Sequence, residues 1–157
     1  MQKITTFLWF DKEAEEAVKF YCSIFKDAKI LEIARYGDAG PGPKGSVMVM
    51  KFQLDGQEFL AMNGGPGHPF TDAISLTINC ETQAEVDHYW NALTKGGQEV
   101  ACGWLKDKYG LAWQVTPVIL VQYMQDKDPA KAKRVMEAMM KMVKLDITAI
   151  QQAYDGN

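Results

Sequence analysis

Ile4–Phe25, ITTFLWFDKEAEEAVKFYCSIF, and Asp72–Leu93, DAISLTINCETQAEVDHYWNAL, lie 68 residues apart and read the same way. In the first, Ile4–Phe10 is an apolar, β-branched and aromatic run that stops at Asp11, a residue suited to cap a helix. Ala14, Ala17, Val18, Tyr21, Ile24 and Phe25 then recur at helical spacing over Glu13–Phe25. In the second, Ala73–Asn79 alternates as a strand. Thr82 with Glu85 makes a capping box, followed by a helical stripe of Val86, Tyr89, Trp90 and Leu93. At the offset of 68, Leu8 and Phe10 fall on Leu76 and Ile78, Val18 on Val86, Tyr21 on Tyr89 and Phe25 on Leu93. Each half reads strand–helix–strand–strand–strand, two copies of one supersecondary unit.

The rest of the chain fits around these segments. Lys29–Tyr36 and Val47–Leu54 read as strands, separated by a Gly- and Pro-rich loop over Gly37–Gly45. Asp55-Gly56 is a hairpin signal, so Val47–Leu54 and Glu58–Asn63 are expected to pair antiparallel. Asn63-Gly64-Gly65-Pro66-Gly67 breaks the chain, and Gly96-Gly97 ends the second helix. Strands are expected at Glu99–Cys102 and Leu111–Thr116. Asp128-Pro129 opens a helix running to about Val143, and a short helix spans Asp146–Tyr154. The fold class is α+β, one domain over 1–157, with module one at 1–66, module two at 67–120 and a helical extension at 121–157. Met136, Met139, Met140 and Met142 crowd the late helix, fitting either a core contact or a dimer contact.

With 47% hydrophobic and 24% charged residues over 157 positions, the chain can bury a core and is not intrinsically disordered. Lys plus Arg number 17 against 20 for Asp plus Glu, which removes the basic stripe of a nucleic-acid binder and argues against anionic membranes. No apolar run approaches the roughly 18 residues that span a bilayer, and Met1–Phe10 lacks a signal-peptide pattern. Cys22, Cys80 and Cys102 are odd in number, far apart and without a CxxC pair. They suit a reducing compartment, so a cytoplasmic protein is expected, with each thiol a small buried hydrophobe.

Two βαβββ modules with an aromatic pair on each helix, Phe20-Tyr21 and Tyr89-Trp90, resemble the vicinal oxygen chelate superfamily of glyoxalase I, extradiol dioxygenases and bleomycin-resistance proteins. Leu60–Pro66, Glu85–Trp90 and above all Cys102–Pro117 (CGWLKDKYGLAWQVTP) are similar to its PhnB-like branch, often labelled 3-demethylubiquinone-9 3-methyltransferase. The likeness spans roughly residues 3 to 150. It implies a half-open curled sheet with outer helices, a ligand cup inside, and a homodimer.

The superfamily places His, Gln or Glu metal ligands on cup-facing positions of the first and last strand of each module. Alternation turns Ile74, Leu76 and Ile78 toward the helix and Ala73, Ser75 and Thr77 toward the cup. The repeat gives Thr5, Phe7 and Trp9 the equivalent face. Counting four residues from the turn glycines reaches Leu60 after Gly56 and Gln114 after Gly110. A catalytic divalent metal takes about three nitrogen or carboxylate ligands. Thr5, Leu60, Ala73 and Gln114 do not supply them, so no metal is expected.

The expected ligand-binding residues are Thr5, Phe7, Trp9, Ser75, Thr77 and Gln114, with Asn63, His68 and Trp104 near the mouth of a cup shared by the modules. His68 is either an exposed loop residue or an acid or base over the cup; His88 reads as a solvated helix residue. Asp107, between Lys106 and Lys108, reads as a solvated turn or, alternatively, a carboxylate at the cup mouth. Trp113 should be core, facing away from Gln114. A methyltransferase using S-adenosylmethionine would show a glycine-rich turn after strand one; Phe10-Asp11-Lys12 stands there instead. No cofactor is expected. The sequence therefore points to a small-molecule-binding protein or enzyme relative of this superfamily, its ligand, reaction and catalytic residues unassigned. The alternatives are methyl transfer, or metal-dependent lyase or dioxygenase chemistry if the strand register differs.

Overall fold

The computed structural model describes residues 2–157, which divide into two compact units, the first ending at Pro69 and the second spanning Phe70–Asn157. In the first, β1 (Thr6–Phe10), α1 (Ala14–Ile24), β2 (Lys29–Arg35), β3 (Val47–Leu54) and β4 (Gln57–Asn63) form a four-stranded sheet in the order β1-β4-β3-β2. β1 runs parallel to β4 and the other pairs are antiparallel. Leu8, Phe10, Met50, Phe52, Phe59 and Ala61 are buried together with Ala14, Ala17, Val18 and Tyr21 of α1. The hairpin from β3 to β4 turns at Asp55 (φ 49°) and Gly56 (φ 80°), the pair of left-handed conformations a tight two-residue turn requires.

In the second unit, β5 (Ser75–Cys80), α2 (Gln83–Thr94), β6 (Gln98–Glu99), β7 (Trp104–Lys106) and β8 (Ala112–Pro117) repeat the plan in the order β5-β8-β7-β6, with β5 parallel to β8. Ile78 and Cys80 are buried while Thr77 and Asn79 are exposed, as the alternation requires. Val86, Trp90 and Leu93 carry the buried stripe of α2, and Tyr89 is half-buried. The α+β paired βαβββ architecture is thus the observed one.

The strand expected at Glu99–Cys102 stops at Glu99, because Cys102 (φ 60°) and Gly103 (φ 83°) turn the chain back into β7. Residues 118–124 form a helix, α3 (Val118–Met124), which the apolar run after Pro117 did not announce. α4 (Pro129–Met139) ends short of Val143, and α5 spans Ile147–Asp155. Asp11 does not cap α1. Its N-cap is Glu13, without a side-chain cap bond, and the amide of Asn63 reaches in to accept from Ala14 N at 2.9 Å. Cys80 is buried, but Cys22 and Cys102 are only half-buried.

The extension is fastened to its own unit through polar contacts. Gln83 donates to Leu145 O at 3.2 Å and accepts from Ile147 N at 2.8 Å, using both ends of one amide. Lys144 lies 2.8 Å from Asp87 and, with a bond from Gln83, holds that carboxyl below its usual range. Cys102 N and Gly103 N donate to Met142 O and Val143 O. Leu120, Val135, Leu145 and Ile150 make a separate small core, against which Met139 and Met142 pack. Met136 and Met140 stay exposed.

Candidate functional site

Each sheet has a helix-covered face and an open face, and register assigns the candidates that lie within strands to one of them. In the second module Thr77 pairs with Gln114, and Gln114 with Trp104, so the three form one row across β5, β8 and β7. Leu76, Trp113 and Leu105 form the neighbouring row on the helix side. On the open face Gln114 Nε2 donates to Ser75 Oγ at 2.9 Å. An amide carries two donors and an acceptor oxygen, so this bond leaves hydrogen-bonding capacity for a ligand. Thr77 is exposed, and Ser75, Gln114 and Trp104 are half-buried. A cleft of about 180 Å³ beside the row is bounded by Trp104, Lys106, Ala112, Gln98 and Asp72.

In the first module Phe7 pairs with Leu60 and Trp9 with Met62, giving an apolar open face. Phe7 is 51% exposed. Trp9 is engaged by the chain after β4: Nε1 donates to Gly65 O at 2.9 Å, and the His68 ring lies 4.3 Å from the indole, tilted by 48°. Thr5 sits just ahead of β1, where its hydroxyl accepts from Gln2 at 3.4 Å. Asn63 is not on this face. Its side chain turns toward α1, accepting from Ala14 N and donating to Val47 O at 3.2 Å. It also borders a cleft of about 410 Å³ with Tyr36, Lys12 and Pro41–Pro43.

Asp107 corrects the sequence reading most plainly. It is 3% exposed, and its carboxyl accepts from Tyr109 N, Leu111 N and Trp113 Nε1 at 2.9, 3.1 and 2.9 Å. It is neither a solvated turn nor a group at a cup mouth. The tight 107–111 turn closes the three donors around the carboxyl. Trp113 is core, as expected. His88 is exposed on α2 and makes an edge contact with Tyr89.

Two βαβββ units with open four-stranded sheets define the glyoxalase-like class of fold. A protein of Pseudomonas aeruginosa, PA1353, shares it at 20% identity and a TM-score of 0.64, over 74% of this chain and 98% of that one. The PhnB protein of Bacillus cereus, which carries a 3-demethylubiquinone-9 3-methyltransferase label, is 42% identical with a TM-score of 0.69, over 74% of this chain and all of that one. The family model described as 3-demethylubiquinone-9 3-methyltransferase matches residues 2–116. No curated protein matches. The chain belongs to this PhnB-like family. The matched stretch ends before α3, so the helical extension lies outside the family model.

The residues present do not fit the metal or the S-adenosylmethionine that the sequence resemblance and the family label imply. Thr5, Leu60, Ala73 and Gln114 offer one amide and no imidazole or carboxylate to a divalent ion. Among the described residues no group of three or more His, Cys, Asp or Glu side chains is placed to hold a metal. The glycines at the end of β4 do not cradle a cofactor: Gly64 N and Gly65 N donate to Phe10 O and Asp11 O. Burial pushes the Cys80 thiol up to about 12, helped by Glu85, so it is no ready nucleophile. Among the described residues no helix is long and apolar enough to cross a membrane.

Proposed function

We propose that this chain binds a small, flat organic molecule on the open face of its second module, without a metal or S-adenosylmethionine. The Ser75–Gln114 bond carries the reading, because it holds an amide in place on an otherwise open strand row beside Thr77 and the indole of Trp104. A ring stacked on Trp104 could exchange hydrogen bonds with that amide and the two hydroxyls. Such preorganisation lowers the entropic cost of binding. Catalysis is not part of the proposal, since no base–nucleophile pair accompanies the row. A homodimer in a reducing, cytoplasmic compartment completes the reading.

Calorimetry with S-adenosylmethionine separates this from methyl transfer. The expected dissociation constant is weaker than about 1 mM, corresponding to about 4 kcal/mol of association free energy. A micromolar constant, competed by S-adenosylhomocysteine, would restore the methyl-transfer reading.

A further inference from the structure

The segment Gly64–His68 covers Trp9 through three separate contacts. A Cβ on Gly64 would stand 2.3 Å from indole Cε2, so the backbone lies against the ring more closely than any side chain permits. Gly65 O accepts the indole N–H at 2.9 Å, and the His68 ring sits 4.3 Å from the indole. His68 itself is exposed on its outer side, so burial of the imidazole does not account for the arrangement. Trp9 nonetheless belongs to the open face, in one row with Met62 and next to Phe7.

We infer that Gly64–His68 is a displaceable strap whose closed form occupies a binding subsite on Trp9, and that the subsite takes a flat aromatic ring bearing a carbonyl or carboxylate oxygen. Those are the two groups the strap supplies: an aromatic ring beside the indole and a carbonyl oxygen for its N–H. The inference rests on the reading that the open faces are ligand faces, and it concerns module one alone. A ligand with both groups replaces each strap contact in kind, so lifting the strap leaves no orphaned indole donor. Pro66 lies within the strap and Pro69 follows it, and the glycines Gly65 and Gly67, with φ of 93° and 96°, are the positions where it can pivot.

The test uses proton NMR of the intact chain, whose two histidines give resolvable imidazole signals, with His88 assigned through His88→Gln. The probe is salicylate, and cyclohexanecarboxylate is the non-aromatic control. In the free protein the His68 ring protons should be shifted by the indole ring current, and Trp9→Leu should abolish that shift. Salicylate should return them toward free-imidazole positions as it saturates, while the control does not. His68→Ala, an exposed position that leaves the core intact, should bind salicylate about fivefold more tightly because the competing ring is gone. Equal affinity in wild type and His68→Ala, saturation without movement of His68, or no salicylate binding by either protein would overturn the inference. The second-module reading is decided separately, by Gln114→Leu.

Discussion

Asp107→Ala should destabilise the protein by about 3 kcal/mol, read as a lowered urea midpoint at unchanged slope. The substitution removes one acceptor group that serves three donors, two of them at Leu111 and Trp113, which are 4% and 2% exposed. Donors left unpaired at that depth lose solvation without recovering a partner. Asp107→Asn is the finer probe. It keeps the shape but must present an amide N–H2 to one of the three donors, so about 1–3 kcal/mol is still lost. Trp113→Phe removes the indole donor, and the pair Asp107→Asn with Trp113→Phe should cost less than the sum of the single changes. Additive losses would mean that the Asp107–Trp113 bond contributes nothing. Ligand binding at Gln114 shares β8 with Trp113 but lies on the opposite face, so a folded Asp107→Asn protein should retain it.

Asn63→Ala should cost about 2 kcal/mol, combining loss of a helix cap with loss of a bond to a strand carbonyl. One Asn63 amide joins Ala14 N to Val47 O, tying the start of α1 to the start of β3. Glu13 supplies no side-chain cap to take over. Asn63→Asp should recover the Ala14 bond and lose the Val47 bond, landing between wild type and alanine. Thermal and urea unfolding of the three proteins check the order. Equal stability of alanine and wild type would remove Asn63 from the scaffold and return it to the ligand residues.

These two positions mark where local reading of the chain stops. Strand parity was legible, because Leu8, Phe10, Ile78 and Cys80 alternate with residues that stay on the open side. So were the Asp55-Gly56 turn, the Thr82 cap accepting from Glu85 N at 3.2 Å, and Asp128 accepting from Ala130 N ahead of Pro129. Each depends on residues within a few positions of one another. Asn63 acts on a helix start 49 residues away, and no periodicity records such a partner. Asp107 misled for a different reason. Flanked by two lysines it has the composition of a solvated turn, yet the turn folds inward around it. Trp9 and His68 were both legible as candidates for the open face. Their contact with each other was not, because it depends on how a glycine-rich segment folds back onto β1.

In the proposed binding mode an amide and hydroxyl row, and not a metal, holds the ligand. That mode is tested most directly by calorimetric titration, in the presence of EDTA, of wild type and Gln114→Leu with a compound taken from a thermal-shift screen. The wild-type affinity should be unchanged by the chelator, and Gln114→Leu should bind more weakly by about 1–3 kcal/mol, since the leucine offers the ligand no hydrogen bond. Binding that disappears in EDTA and returns with added zinc, iron or manganese, together with equal affinities for wild type and Gln114→Leu, would contradict the account.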